Sequence, residues 1–477
     1  MRMSYVIKNI NLYGEQQRAL DVMLSGKNVF LSGKGGCGKS FIVHEFIKQC
    51  PRQLACLAPT GLAALNIAGA TIHSFFHFPI GVLSADTVKV HDLRQKEVIQ
   101  AFDVILIDEI SMVRSDTFQA IDTMLRLCAP DAQKDVPFGG KQIIVVGDFF
   151  QLAPVVTEAD IEEYLGEEFG GIYAFDTPAW KDAAFENIVL QHVHRQTDKS
   201  FLKILNAMRT GELMYMKAMV IYERCVGDDF SIDVEADYMS DINKICRGKA
   251  IDPDAVSLCT TRAAAMQINR QFTEALDGLG YKFTASIWGY FPPETYPVNN
   301  VLYVKVGMRV MLRANYYCDG DCQYVNGDIG VVIGYNTGIR TEVIVQLISG
   351  KRVSVRDNLW QSYRYDLING PDGKRSIRQR INGCFKQMPL EPAYAMTVHK
   401  AQGQTLEAVN LVLGRGCFAP GQLYTALSRC RSMDRLSFDR KITWSDSIVD
   451  EKVVEFYANL KLPYSPSCSM RYGEEFD

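Results

Sequence analysis

A glycine-rich stretch at residues 33–40, Gly-Lys-Gly-Gly-Cys-Gly-Lys-Ser, limits what this chain can fold into more than any other feature. It matches the pattern G-x-x-x-x-G-K-[ST], and the apolar run at residues 28–32 before it is a predicted strand. In residues 41–47 the apolar side chains recur at helical spacing, and Pro51 forbids continuation of that helix. A strand, a glycine loop and a helix in this order are typical of an α/β domain that binds phosphate groups.

The residue types of the loop suit a bound nucleoside triphosphate. Glycines allow backbone N–H groups to converge on the β- and γ-phosphates, and the helix N-terminus adds its positive dipole end. Lys39 is expected to reach the phosphates, and the Ser40 hydroxyl is expected to hold Mg²⁺. A flexible glycine-rich turn is the alternative, and the flanking strand and helix argue against it. The predicted nucleotide-binding residues of the loop are Gly33, Gly35, Gly36, Cys37, Gly38, Lys39 and Ser40.

The composition limits the number of domains and the class of protein that this chain can form. The chain has 477 residues, 47% of them hydrophobic, which is enough for about two to four domains with their own cores. No apolar run approaches the roughly 20 residues of a membrane span, and no signal peptide is evident, so we expect a soluble cytoplasmic protein. The 13 cysteines are expected to be reduced, and Cys318 and Cys322 lack the partners of a zinc site. The net charge of −4 argues against a generally basic surface but not against a local groove that binds nucleic acid.

Two further predicted strands end in candidates for catalysis. A buried strand that begins at residue 103 ends in Asp108 and Glu109. Asp108 would hold Mg²⁺ through water, and Glu109 would polarise an attacking water. The strand predicted at residues 142–146 leads to Gln151, whose amide could sense the γ-phosphate. Paired acids at a strand end are common, but paired acids downstream of a glycine-loop unit are much more specific.

Other polar residues are more ambiguous. Gln16 precedes an amphipathic helix and could read an adenine edge, although a polar helix cap is the more economical interpretation. A strand predicted at residues 54–58 is followed by Pro59, Thr60 and Gly61 and then by Thr71, His73 and Phe75. Hydroxyls, a histidine and exposed aromatic rings at the carboxyl edge of a sheet would suit contacts with nucleic-acid backbone and bases. A capped helix with its aromatic rings in the core is an equally good interpretation.

Taken together, these motifs resemble superfamily-1 DNA helicases, most of all the Pif type (petite integration frequency helicases), which are related to RecD and to the phage helicase Dda. The resemblance runs in order from about residue 16 to about residue 436. Its blocks lie at residues 33–40, 58–64, 71–76, 107–112, 137–142, 147–155, 190–198, 390–406 and 421–431. The departures are Lys34, Gly35, Cys37 and Ala401, and none of them removes a catalytic group. The long N-terminal extension of eukaryotic members is absent, which suggests a compact bacterial or phage form.

The resemblance implies an α/β architecture of two RecA-like P-loop domains. Residues 1–190 would form the first, with a pin insertion at 77–99, and residues 191–290 and 390–450 would form the second. Residues 291–389 would form an SH3-like β-barrel insertion in the second domain, and their predicted short strands with glycine turns agree. Residues 451–477 would be a C-terminal helix and a mobile tail. A basic run in the insertion, Lys374, Arg375, Arg378 and Arg380, is either a solvated loop or a strip that contacts phosphates.

The resemblance also implies the roles of residues on both domains. The catalytic group would comprise Lys39, Asp108, Glu109, Gln151, Arg195 and Arg429. Gln16, Gln402 and Gly403 would join the glycine loop in binding ATP, and Ser40 and Asp108 would hold Mg²⁺. The DNA contacts would be Pro59, Thr60, Gly61, Thr71, His73 and Phe75 on one domain, and Thr260, Thr261, Thr397, His399 and Lys400 on the other.

The implied function is an ATP-dependent 5′→3′ DNA helicase that moves on single-stranded DNA and unwinds 5′-tailed duplexes in replication, repair or recombination. The sequence does not distinguish forks, G-quadruplexes and RNA–DNA hybrids as substrates, and the polarity comes from the resemblance alone. We expect a monomer without membrane contacts. The alternatives are an RNA helicase, a RecD-like subunit of a larger complex, and a DNA-binding remodeller that does not unwind.

Overall fold

A computed structural model describes residues 14–79, 81–84, 87–156, 159–196, 198–210, 242–243, 246, 252, 255–278, 280–318, 321–337, 341–369 and 375–460. Lys374 of the basic run and the tail predicted at residues 463–477 lie outside the described residues. In the described part of the chain, no helix is both long enough and apolar enough to cross a membrane.

A six-stranded parallel sheet organises the N-terminal part of the chain. Its strands are β1 Val29–Gly33, β2 Leu54–Ala58, β3 Ala70–Thr71, β4 Val104–Ile107, β5 Gln142–Val146 and β6 Glu186–Leu190. Their spatial order is β3-β2-β4-β5-β1-β6, and every neighbouring pair is parallel. The apolar strands predicted around residues 28–32, 54–58, 103–107 and 142–146 are therefore confirmed, because a parallel sheet covered on both faces needs continuous apolar runs.

Helices cover both faces of this sheet. They are α1 Gly14–Leu24, α2 Lys39–Gln49, α3 Gly61–Asn66, α4 Ile72–Phe76, α5 Leu93–Gln100, α6 Ser115–Cys128, α7 Ala159–Phe169 and α8 Pro178–Asp182. The next helix, α9 Lys199–Thr210, follows β6 and packs against the later helix Gln422–Leu427. Successive strand residues point to opposite faces, so Phe30 and Ile105 join one core whereas Leu31 and Leu106 join another. Residues 77–99, the expected pin, follow α4 and include all but the last residue of α5. This helix lies against the later strand Asn358–Asn369.

The aromatic residues of α4 are not exposed, which corrects the prediction that they form a contact surface. Phe75 is 8% exposed, Phe76 is fully buried, and Phe75 packs edge-on against Phe76 and Phe102. The Thr71 side chain caps α4 by accepting a hydrogen bond from Ser74 N. The structure supports the interpretation of a capped helix with its rings in the core. Burial of a large aromatic ring stabilises the fold more than exposure of the same ring at the surface.

The rest of the described chain contains a second parallel sheet interrupted by antiparallel strands. The strands are β7 Val256–Cys259, β8 Tyr281–Thr284, β9 Ser286–Gly289, β10 Val301–Val304, β11 Arg309–Leu312, β12 Tyr316–Cys318, β13 Asp321–Tyr324, β14 Ile329–Thr337, β15 Thr341–Leu347, β16 Arg352–Val355, β17 Asn358–Asn369, β18 Arg375–Gln387, β19 Leu390–Pro392, β20 Ala395–Thr397, β21 Val409–Val412 and β22 Leu436–Phe438. The second parallel sheet has the order β20-β7-β21-β22. Its helices are α10 Arg262–Glu274 and α11 Gln422–Leu427.

The antiparallel segment has a core of its own. Its largest sheet has the order β16-β15-β14-β11-β19, and Val310, Val332 and Val345 are buried within it. The predicted turn at Asn326 and Gly327 and the predicted hairpin at residues 349–350 are confirmed. The predicted single run over residues 301–312 is instead two strands, since the chain turns between them at Gly307, where φ is +85°.

The C-terminal helix, α12 Glu451–Asn459, returns to the first sheet. Phe456 stacks on Phe175, with ring centroids 4.3 Å apart, and Tyr457 stacks on Phe150 at 4.8 Å. Residues of the second parallel sheet, such as Leu411, belong to the same continuous core. The helix thereby fixes the end of the described chain to the loops at the carboxyl edge of the first sheet.

Candidate functional site

The glycine loop connects β1 to α2 in a backbone form that side chains would obstruct. Gly36 and Gly38 have φ values of +86° and +88°. A Cβ at Gly36 would lie 2.5 Å from Arg195 Cβ, and one at Gly38 would lie 2.5 Å from Gln16 Nε2. Gly38 is the N-cap of α2 and brings no side-chain cap, which suits a loop that binds an anion through backbone N–H groups.

Lys39 lies folded over the loop. Its Nζ donates to Gly33 O at 2.7 Å and to Lys34 O at 3.1 Å. These carbonyl acceptors are neutral, and phosphate oxygens would give the ammonium stronger, charge-assisted hydrogen bonds. Ser40 is exposed at the start of α2 and lines a cleft together with Asp108 and Glu109.

The two acidic residues follow β4. Glu109 has φ +52°, a left-handed conformation that is uncommon outside glycine, and its N–H donates to Asp108 Oδ1 at 2.9 Å. Burial raises the pKa of Asp108 well above its usual range, and the neighbouring Glu109 charge adds to the effect. Adjacent carboxylates that repel one another at a buried strand end form a site that a cation would stabilise.

Two arginines meet on the far side of the glycine loop. Arg429 is fully buried and donates from Nε to Thr425 O at 2.9 Å, while Arg195 Nη1 donates to Ser428 O at 2.8 Å. Burial lowers the pKa of both guanidinium groups, and Arg429 lowers that of Arg195 further. A Cβ at Gly35 would lie 3.6 Å from Arg429 Nη2. A buried and a half-buried guanidinium beside a glycine loop, each with a lowered pKa, favour a bound anion.

The loop that contains Gln151 is held between the two parallel sheets. Gln151 is 5% exposed, and Gly421, the N-cap of α11, packs so closely that a Cβ there would lie 2.2 Å from Gln151 O. Across the same boundary, Gln402 Nε2 donates to Glu109 Oε2 at 2.9 Å, and Gly403 lies beside Glu109. The predicted catalytic residues therefore come together where the two sheets face each other.

Gln16 is the third residue of α1, in the first turn of the helix, and its side chain lies against the glycine loop. Its Nε2 lies 3.4 Å from Cys37 O, to which it donates, and 3.2 Å from His194 Nε2. The preceding residue, Glu15, accepts hydrogen bonds from the backbone of Gln191 and His192. These contacts hold the Gln16 side chain beside the glycine loop.

Sequence reasoning missed a buried polar network under the glycine loop. Arg209 Nη2 donates to Asp148 Oδ1 at 2.9 Å, and its guanidinium lies 4.2 Å from the ring centre of Phe150. Burial opposes the charge of Asp148, but Arg209 and then Lys39 hold its pKa below the usual range. The only signal available was the position of Asp148 in the block at residues 147–155.

Two tyrosines complete this network. The Tyr424 hydroxyl accepts from Gly35 N at 2.9 Å and lies 3.4 Å from Asp148 Oδ2. The Tyr457 hydroxyl lies 2.6 Å from Ser32 Oγ and accepts from Phe149 N at 3.2 Å. Tyr424 belongs to the quoted block at residues 421–431, but its contact with the loop joins positions far apart in sequence and has no local signature.

Seven of the proposed nucleic-acid contacts line one of two clefts. Thr60 and Gly61 of the first sheet face Thr397, His399 and Lys400 of the second across a cleft of about 1350 Å³. Pro59 and His73 line a separate cleft of about 260 Å³.

Four of the threonines and His399 have well-defined surroundings. Thr60 and Thr261 cap α3 and α10 through their hydroxyl oxygens, as Thr71 caps α4. Thr260 is 6% exposed and its hydroxyl donates to Leu413 O at 3.3 Å, so this side chain faces inward and does not offer the predicted contact. Burial lowers the pKa of His399, which favours its neutral form.

Known proteins show extensive similarity to this chain. The family model of PIF1-like helicases matches residues 11–218. An ATP-dependent DNA helicase PIF1 of Danio rerio is 31% identical over 94% of this chain and 64% of its own length. An ATP-dependent DNA helicase Pif1 of Bdellovibrio bacteriovorus is 29% identical over 94% of this chain and 92% of its own length. The chain thus spans just under two thirds of the vertebrate relatives that it matches.

Solved structures agree along nearly the whole chain. Pif1 from a Bacteroides species in complex with ADP-AlF4 superposes with a TM-score of 0.78 at 28% identity, over 94% of this chain and 96% of that one. The Bacteroides Pif1 bound to single-stranded DNA superposes with a TM-score of 0.64 over the same shares. A structure described as DNA unwinding at forked duplex DNA by two coordinating Pif1 helicases gives 0.64 as well.

Proposed function

We infer that the chain belongs to the PIF1-like helicase family, and on that premise we propose that it is an ATP-dependent DNA helicase. It would move along single-stranded DNA and separate duplex DNA ahead of it. The observation that carries this proposal is the meeting of the two sheets. The glycine loop, Glu109 and the backbone of Arg195 lie on the side of the first sheet, and Arg429 and Gln402 lie on the side of the second. The Arg195 guanidinium reaches across and donates to Ser428 O. Such an arrangement allows one nucleotide to join two bodies that also share a nucleic-acid cleft.

Each side of the nucleotide site has its own task in this proposal. Lys39 and the loop amides bind the phosphates, Gln16 orients the base, and Gln151 senses the γ-phosphate. Glu109 orients and polarises the attacking water, while Arg195 and Arg429 neutralise charge that develops on the transferred phosphoryl group. Arginines supplied across a domain boundary contribute roughly 10³–10⁵ in rate in well-studied nucleotide hydrolases.

Ser40 and Asp108 fit the Mg²⁺ that accompanies ATP. Both line the cleft, and the half-buried Asp108 carboxylate, repelled by Glu109, would be stabilised by a nearby cation. The bound ion would supply charge neutralisation at the phosphates. Ser40 and Asp108 would position that charge.

The architecture implied by the resemblance provides two domains that could move relative to each other. Residues 1–190 would form the first RecA-like domain with a pin at 77–99, and residues 191–290 and 390–450 the second. Residues 291–389, which contain four of the five strands of the antiparallel sheet, would form the SH3-like insertion. ATP binding would close the two RecA-like domains and hydrolysis would open them, which moves two DNA contacts relative to each other.

Unwinding on tailed duplexes tests the proposal and its direction together. Two labelled DNA duplexes, one with a 5′ single-stranded tail and one with a 3′ tail, are incubated with protein, ATP and Mg²⁺. We expect strand separation only from the 5′ tail, and no separation by Lys39→Ala at equal single-stranded DNA affinity. Separation from the 3′ tail alone would leave a helicase but contradict the proposed direction. DNA-stimulated hydrolysis without separation on either substrate would contradict unwinding.

A further inference from the structure

Three charged side chains meet in the cleft between the two sheets. Glu391 lies on β19, Lys400 lies in the loop after β20, and Arg313 follows β11. Lys400 Nζ forms a hydrogen-bonded ion pair with Glu391 Oε1, and Arg313 Nε lies 3.7 Å from Glu391 Oε2. All three residues line the cleft of about 1350 Å³ that also contains Thr397 and His399.

Glu391 is shared unequally between the two cations. The Lys400 side chain is 41% exposed and holds the carboxylate by a direct hydrogen bond, whereas the Arg313 side chain is 1% exposed. Within the described chain, Arg313 Nε and Nη2 are buried and have no hydrogen-bond acceptor, and Nη1 contacts only the Met311 sulfur at 3.7 Å. A buried guanidinium with unused donors is costly, and a carboxylate in bidentate contact would satisfy it.

We propose that Glu391 masks Lys400 in the absence of DNA and transfers to Arg313 when a DNA phosphate takes its place on Lys400. The inference rests on the proposed function and identifies a control on one of its DNA contacts. The phosphate pairs with an accessible ammonium, and the released carboxylate moves inward to the unused donors of Arg313. Lys400 has an anionic partner in both states, and Arg313 changes from an ion pair without a hydrogen bond to one with hydrogen bonds, so the exchange leaves no isolated buried charge.

The exchange also links DNA to the antiparallel segment. Strand β19 pairs with β11, with Met311 opposite Glu391, and Arg313 N donates to Pro389 O at 2.8 Å. A new contact between Glu391 and Arg313 would therefore tighten the junction at which the antiparallel strands leave the second parallel sheet. DNA binding by Lys400 would stabilise one placement of that segment.

Affinity for single-stranded DNA measures the masking directly. Binding of a fluorescein-labelled oligo(dT) is followed by anisotropy, without nucleotide, for the native protein and for E391Q, K400M and E391Q/K400M. We expect E391Q to bind roughly three- to tenfold more tightly, because Lys400 no longer has to leave a carboxylate. K400M should bind more weakly and with a salt dependence lower by about 0.7 in slope, as for one lost phosphate contact. The double variant should bind like K400M.

Two further variants separate masking from a general effect of charge or folding. E274Q removes the same charge from an exposed pair with Arg270 on α10, outside the residues that line the cleft, and should leave affinity unchanged. R313M removes the inward partner, keeps Glu391 on Lys400 and should weaken DNA binding roughly threefold. E391Q/R313M should bind at least as tightly as the native protein, a rescue that a misfolded R313M would not show.

The outcomes that contradict the inference are distinct from failure of the proposed function. Masking is contradicted if E391Q binds DNA no more tightly than the native protein does. It is also contradicted if E391Q/K400M binds more tightly than K400M by the factor that separates E391Q from the native protein. Loss of binding in R313M that E391Q fails to rescue overturns the transfer to Arg313. If the native protein itself binds no single-stranded DNA, the proposed function fails and this inference fails with it.

Discussion

At the scale of single residues, the Tyr424 hydroxyl accepts a hydrogen bond from an amide that a phosphate would use, Gly35 N at 2.9 Å. Tyr424→Phe leaves that amide unpaired in the free protein but not in the nucleotide complex. ATP should therefore bind roughly two- to tenfold more tightly, as expected for one hydrogen bond. Titration calorimetry with a non-hydrolysable ATP analogue measures the change. Weaker binding would mean that the hydroxyl supports the loop in the bound state.

Lys34, in the same loop, makes the stability of the protein dependent on pH. Burial, with a smaller contribution from Arg209, lowers the pKa of Lys34 from 10.5 to about 8. The unfolded chain then holds this proton to higher pH than the folded protein does, so stability rises with pH between these two values. Relative to Lys34→Met, the free energy of unfolding of the native protein should rise by up to roughly 3 kcal/mol from about pH 8 to pH 10.5.

Urea unfolding of both proteins without nucleotide, at several pH values in that window, tests this prediction. The comparison with Lys34→Met removes the contributions of tyrosines and other lysines that titrate in the same range. A difference between the two proteins that stays constant with pH would show that Lys34 keeps an ordinary pKa in the folded state.

At the scale of elements, α12 secures the core beneath the glycine loop although it follows the second sheet in sequence. Phe456 contacts Phe175, Phe30 and Phe149. Phe456→Ala should lower the free energy of unfolding by about 3–5 kcal/mol, because it removes a large ring from an aromatic cluster. Chemical denaturation measures the loss. Glu455→Ala, at the exposed neighbouring position of the helix, is the control and should change stability by less than about 0.5 kcal/mol.

Elements differ in how far the sequence predicts them. The strands of the first sheet are predictable because a strand buried on both faces must be apolar throughout, as in residues 54–58. The sequence leaves open whether the Phe75 ring is exposed or buried, because a five-residue helix is too short for apolar periodicity to define a face. Nor does any local pattern report the Tyr424–Gly35 contact, since it joins residues 389 positions apart.

At the scale of the whole molecule, the nucleotide site and the nucleic-acid cleft share one boundary. The loop that carries His399 and Lys400 continues to Gln402, which donates to Glu109 at 2.9 Å. The carboxylate proposed to polarise water is thus held by the sheet that is proposed to contact DNA. A shift of this loop on DNA binding would release Glu109, and hydrolysis would then depend on DNA without any direct contact between DNA and nucleotide.

Gln402→Ala tests this coupling. Without the amide, Glu109 is free whether or not DNA is bound, so unstimulated ATP hydrolysis should rise and the ratio of DNA-stimulated to unstimulated kcat should fall severalfold. Steady-state hydrolysis with and without oligo(dT) gives the ratio. Gln404→Ala is the matched control, because its side chain donates to Lys400 O and not to Glu109, and it should retain the native ratio. If Gln402→Ala instead lowers both rates equally, Gln402 acts on the bound nucleotide in both states, and the restraint on Glu109 has no part in the response to DNA.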